Sequence, residues 1–149
     1  MQIQSMTDEQ RKALAIEYFR RVDRGGDILE LFDEKAEVYF PKWGIARGRK
    51  EIAQFLEDLM GILAEISHDI PYANFIQQGD LVVVEATSSG KLRNGASWRA
   101  GTTHAGRWCD VFEIRDFKIQ RCFVYLDPDY AGADTERYPW IGSAPTSRY

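Results

Sequence analysis

The chain has 149 residues, 44% hydrophobic and 28% charged, the make-up of one ordinary globular domain that can bury a core without disulfides or metal. Its net charge of -4, with no run of Lys and Arg, excludes the basic stripe a nucleic-acid partner requires. No apolar run approaches the length of a membrane span, and the opening MQIQSMTDEQ has neither a basic n-region nor an h-region, so no membrane partner and a cytoplasmic location are expected.

Thr7-Asp8-Glu9-Gln10 has the form of a capping box and predicts a helix from there to about Arg24, ended by Gly25-Gly26. Leu14, Ala15, Tyr18, Phe19 and Val22 form its apolar stripe, which turns Tyr18 and its hydroxyl inward. Asp27 can cap a short second helix through Phe32, and Ala36 to Phe40 reads as a strand stopped by Pro41. A second long helix is predicted over Lys50 to Leu63, where Ile52, Phe55, Leu56, Leu59, Met60 and Leu63 recur at helical spacing.

Strands follow. His68 to Gln77 and Leu81 to Arg93 are predicted as two of them, hinged at Gly79-Asp80, and Asn94-Gly95 signals a hairpin into a strand from Ser97. Arg107 to Asp127 reads as a further hairpin, turning at Arg115 to Lys118. Its first arm puts Trp108, Asp110, Phe112 and Ile114 on one face. A carboxylate on an apolar face is costly unless it is hydrogen-bonded, paired or protonated, so Asp110 is either a structural group satisfied in the core, by Tyr18 for instance, or a functional one. The two cysteines, Cys109 and Cys122, are expected as reduced thiols. Helices first and strands after them predict an α+β fold, with helices on one face of a curved antiparallel sheet. The chain is read as a single domain over 1–149, its core spanning about 8–127 and an irregular C-terminal extension covering 128–149. In that extension, Tyr138-Pro139-Trp140 could pack back onto the body.

Leu31-Phe32-x4-Glu37-Val38-x2-Pro41, Gly48-Arg49-x2-Ile52, and Val111 to Asp116 with Lys118-Ile119 and Tyr125-x-Asp127 together resemble the SnoaL-like branch of the nuclear transport factor 2-like superfamily. Phe117 stands where that family usually has Gly. The resemblance covers roughly residues 8–127 and implies a cone-shaped α+β barrel with an apolar cavity at its wide end, commonly in a homodimer. Ketosteroid isomerases, epoxide hydrolases, polyketide cyclases and non-catalytic association domains share this architecture. The ketosteroid isomerase pattern implies an oxyanion hole of Tyr18 and a protonated Asp110, but its general base falls on Phe40, which cannot take a proton. The epoxide hydrolase triad would fall on Glu85, Thr87 and Val124, and none of its members is retained.

Further proton-moving candidates are Glu85, read on a face with Leu81, Val83 and Thr87, and His104, inside the glycine-flanked insertion Gly101 to Gly106. That insertion is expected to form a bulge or flap at a pocket rim. Trp43, Trp98, Trp108 and Phe112, with Phe40 and Val124, are expected to wall the cavity against a hydrophobic ligand. His68 and His104 lack metal-ligand spacing, and no Gly-rich phosphate loop or nucleophile elbow is present, so chemistry without metal or cofactor is expected. Two readings stay open: an enzyme of isomerase, dehydratase or cyclase type, and a non-catalytic ligand-binding or dimerisation module.

Overall fold

The computed structural model describes residues 5–130. Helix α1 (Asp8–Arg24) starts at the predicted capping box: Thr7 accepts from the Gln10 backbone, and the Gln10 side chain accepts from the Thr7 N–H. It ends at Gly25, whose φ of 92° suits a residue without Cβ. Asp27 accepts from the Glu30 N–H and opens a single 3-10 turn, Leu29–Leu31, shorter than the predicted helix. Strand β1 (Phe32–Phe40) follows, then β2 (Gly44–Arg47), α2 (Gly48–Ile62) and β3 (Leu63–His68).

The region predicted as one strand from His68 to Gln77 is divided. His68 ends β3, a 3-10 turn at Ile70–Tyr72 carries Pro71, and β4 (Asn74–Gln78) begins afresh. Proline has no N–H for a ladder, so the break falls where the sequence places it. Strand β5 (Leu81–Leu92) is the long central strand; β6 (Ser97–Arg99), β7 (Arg107–Arg115) and β8 (Lys118–Leu126) complete the sheet.

The sheet order is β2-β1-β8-β7-β5-β3, with β4 and β6 also paired to β5. It is a mixed sheet, where an antiparallel one is expected from the sequence, because β1 runs parallel to β8. Both helices pack on one face of this curved, unclosed sheet. The inner face is filled from alternate strand positions: Ala36, Val38 and Phe40 of β1, Val82 and Val84 of β5, and Trp108, Phe112 and Ile114 of β7. Phe19 of α1 and Ile52 of α2, both almost fully buried, meet them.

Strands β6 and β7 both lie antiparallel to β5, Arg99 opposite Ser89 and Arg107 opposite Thr87. Residues 100–106 therefore bulge out of a single strand path opposite Ser88, whose N–H donates to Gly106 O and whose carbonyl accepts from the Ala100 N–H. The β7–β8 loop has two residues, Asp116 and Phe117, with φ of 55° and 58°. Those values belong to the type I′ turn, which glycine normally serves. Beside β5, a Cβ at Gly90 would lie 2.3 Å from the ring of Trp98, so this backbone must be bare for the indole to seat.

Candidate active site

Between the two helices and the inner face of the sheet lies an apolar cavity of about 50 Å³, room for more than one water. Val22 of α1, Phe40 of β1, Phe55 and Leu59 of α2 and Val124 of β8 supply apolar wall. Among the described residues, polar groups enter it at six positions: Tyr18, His68, Ser88, Trp108, Asp110 and Tyr130.

Asp110 is 4% exposed. It lies on the buried face of β7 because the strand alternates, with Trp108 and Phe112 on either side of it. Among the described residues no hydrogen bond or ion pair reaches its carboxyl, and burial alone drives its pKa well above the ordinary 3.8. Desolvation of this kind favours the neutral carboxyl, the form that can donate a hydrogen bond or a proton. Burial likewise holds the Tyr18 hydroxyl well above 10, with further upward contributions from neighbouring Cys122 and Asp110. Cys122 is buried on the inner face, opposite Phe112, whereas Cys109 is partly exposed on the other face; both are free thiols.

The second polar group is a pair that the sequence reading did not single out. His68, at the end of β3, places Nδ1 2.5 Å from Oδ1 of Asp23, and its backbone N–H donates to Asp23 Oδ2 at 2.9 Å. Asp23 comes from the last turn of α1, four residues after Phe19. The imidazole lies 5.0 Å from the Phe19 ring and meets the Trp108 indole edge-on at 5.1 Å. Trp108 itself has a buried Nε1–H with no partner among the described residues, an omission that costs a folded protein about 1–3 kcal/mol. The signals were present in the chain: Asp23 follows Phe19 at helical spacing, and His68 alternates with Ile66.

The structure gathers only part of the predicted set. Tyr18, Phe40, Trp108, Asp110 and Val124 line the cavity. Glu85 does not: it is exposed and accepts from the Asn74 side chain. The run Leu81-Val82-Val83-Val84 is apolar on both faces of β5, and the buried parity is that of Val82, Val84 and Ser88, opposite to the expected one. His104 sits in the bulge, where its Nε2 bonds the Asp129 carbonyl, away from the cavity lining. Trp98 is buried in a separate cluster with Leu63, Leu92 and Ala105. Its indole N–H donates to Ser88 Oγ at 3.1 Å, so it braces the wall from behind. Phe112, fully buried, packs between Tyr18 and Phe19 as core. Trp43 is 44% exposed and backs Phe40 and Phe55 from the solvent side. Tyr138-Pro139-Trp140 lies outside the described residues.

Among the described residues no three His, Cys, Asp or Glu side chains group as metal ligands, and no helix is long and apolar enough to cross a membrane.

The sequence profile of the SnoaL-like domain matches residues 15–122. The chain belongs to the SnoaL-like family. Solved structures place this SnoaL-like chain in the same fold. An NTF2-like protein of Burkholderia xenovorans is 21% identical, with a TM-score of 0.68 over 85% of this chain and 96% of its own. A protein of Xanthomonas campestris assigned to the polyketide cyclases is 17% identical, with a TM-score of 0.69 over 80% and 91% of the two chains. The protein TerC, co-crystallised with polyporic acid, is 20% identical, with a TM-score of 0.62 over 79% and 92%. None of the curated proteins matches the chain by sequence.

Proposed function

We propose that this SnoaL-like chain is a small-molecule enzyme performing proton transfer in its apolar cavity, of isomerase, dehydratase or cyclase type, on a hydrophobic carbonyl compound. The observation that carries this reading is Asp110, a carboxyl buried in the wall with no partner among the described residues and pushed toward its neutral form by desolvation. A fold gains nothing structural from such a group, whereas a substrate oxygen that gains negative charge gains a proton donor already in place. The unpartnered Trp108 Nε1–H offers a second donor for the same oxygen. Tyr18 stays protonated beside them and keeps that end of the cavity uncharged. The polyketide cyclase assignment of one structural relative and the polyporic acid co-crystallised with another support a small-molecule substrate.

Asp110→Asn is expected to lower turnover by about 10²- to 10⁴-fold, the usual weight of a general acid or base, while circular dichroism stays unchanged. Assaying enones, enolisable ketones and β-hydroxy ketones against both proteins makes the comparison. Full turnover by the Asn variant would remove Asp110 from the chemistry. The small size of the cavity, about 50 Å³, favours a second reading, a non-catalytic ligand-binding or dimerisation module of the same fold. That reading requires ligand binding by the wild type with no turnover of any bound ligand.

Self-association belongs to the proposal as well. On the outer face of the sheet Tyr39, Phe123 and Tyr125 gather their rings, with Tyr125 50% and Ile76 64% exposed. A second copy of the chain is the occupant proposed for this apolar face. Sedimentation should then give a dimer for the wild type and a monomer for Tyr125→Glu; a monomeric wild type rejects the pairing.

A further inference from the structure

We propose that His68 is the general base of the cavity and that Asp23 is the residue that positions it. This inference rests on the reading of the cavity as a proton-transfer site, and it supplies the base missing at Phe40. Three observations support it. Asp23 grips His68 at two points, ring Nδ1 at 2.5 Å and backbone N–H at 2.9 Å, so the ring is fixed in orientation as well as position. A carboxylate only accepts, so Nδ1 carries the hydrogen and the neutral ring keeps its lone pair on Nε2. Among the described residues Nε2 has no hydrogen-bond partner, although His68 lines the same cavity as Asp110.

A purely structural ion pair would not need that arrangement. The imidazole and the Asp23 carboxylate are 12% and 15% exposed, a degree of burial that makes an ion pair a poor source of net stability. Yet the ring is held between Phe19 and Trp108, and Trp108 stands two residues before Asp110 on the same face of β7. The elements that fix the base therefore also fix the acid. In the step this allows, Nε2 takes a proton from the carbon beside a substrate carbonyl. The C–H electron pair becomes the new C=C bond, the C=O π pair moves to the oxygen, and Asp110 gives that oxygen its proton. An enol, an imidazolium and an Asp110 carboxylate result, with charge conserved and no further reactant required. Return of the proton to another carbon isomerises the substrate. Expulsion of a β-hydroxyl, which takes the imidazolium proton and leaves as water, dehydrates it; in either outcome Asp110 recovers the enol proton.

Two measurements on the full chain test the assignment. The first needs no substrate: long-range ¹H–¹⁵N spectra of the neutral His68 ring should show hydrogen on Nδ1 and a bare Nε2, and Asp23→Asn should weaken or abolish that preference. Hydrogen on Nε2 in the wild type would overturn the proposal. The second follows exchange of the α-protons of 2-tetralone, a compact enolisable ketone, in D₂O. His68→Gln and Asp23→Asn should each lower the wild-type rate by about 10²-fold or more, with unchanged circular dichroism. Loss in Asp110→Asn with full exchange in His68→Gln would reject the dyad and leave the Asp110 reading standing. A wild type that fails to accelerate exchange would count against the proton-transfer reading, and the dyad would fall with it.

Discussion

Asp110→Asn is expected to make the folded protein more stable, by an amount that grows with pH. Burial raises the carboxyl well above 3.8 in the folded state, while in the unfolded chain it titrates near its ordinary value of about 3.9. Between those two pKa values the folded protein holds a proton that the unfolded chain has released. Wild-type stability therefore falls as pH rises through that window, by about 1.4 kcal/mol per pH unit. Below the unfolded value both states are protonated and the contribution is fully present; above the folded value the loss is complete. Asparagine has no proton to lose, so the variant escapes this decline. Denaturant titrations of both proteins at stepped pH should give a difference that is smallest in acid, rises, and levels off at the folded pKa of Asp110. A difference independent of pH would show a carboxyl ionised alike in both states, and the proton-donor role would be withdrawn. A substitution that raises stability while removing turnover marks a group retained for its chemistry, since a fold selected for stability alone would discard it.

The parts of this site that were legible in the sequence share one property: they belong to elements with a single apolar face. Trp108, Asp110 and Phe112 alternate cleanly with half-exposed neighbours, and Tyr18 lies on an unambiguous helical stripe, so both polar groups could be placed inward. Glu85 could not be placed, because Val82, Val83 and Val84 are apolar on both sides of β5. Alternation carries no parity where both faces are hydrophobic. The Asp23–His68 pair joins residues 45 positions apart, and the sequence hides its strand because Leu63 continues the spacing of α2 while opening β3. The parallel pairing of β1 with β8 is similarly remote, set by how the sheet folds over the helices. The aromatic residues show the same limit. Composition predicts that large rings fill or wall the interior, but only packing decides which of them meet a ligand.

Phe112 puts that distinction to a test. Its truncation, Phe112→Ala, should cost about 3–5 kcal/mol, the usual loss for a fully buried ring, a large share of the roughly 5–15 kcal/mol available to a small domain. The ring is wholly inaccessible and meets Tyr18 edge-on at 5.4 Å and Phe19 at 5.7 Å. Trp43→Ala, at a site 44% exposed, should cost much less, since removing exposed surface leaves no closed void. Guanidinium unfolding of the two variants makes the comparison, and similar small losses would return Phe112 to the cavity wall. The consequence reaches the chemistry through packing. Phe19 touches both Phe112 and the His68 ring, so a void behind Phe19 loosens the imidazole that lines the cavity with Asp110. A folded Phe112→Ala protein should therefore turn over more slowly than wild type with little change in KM, because what it loses is the alignment of a base and not a contact with substrate.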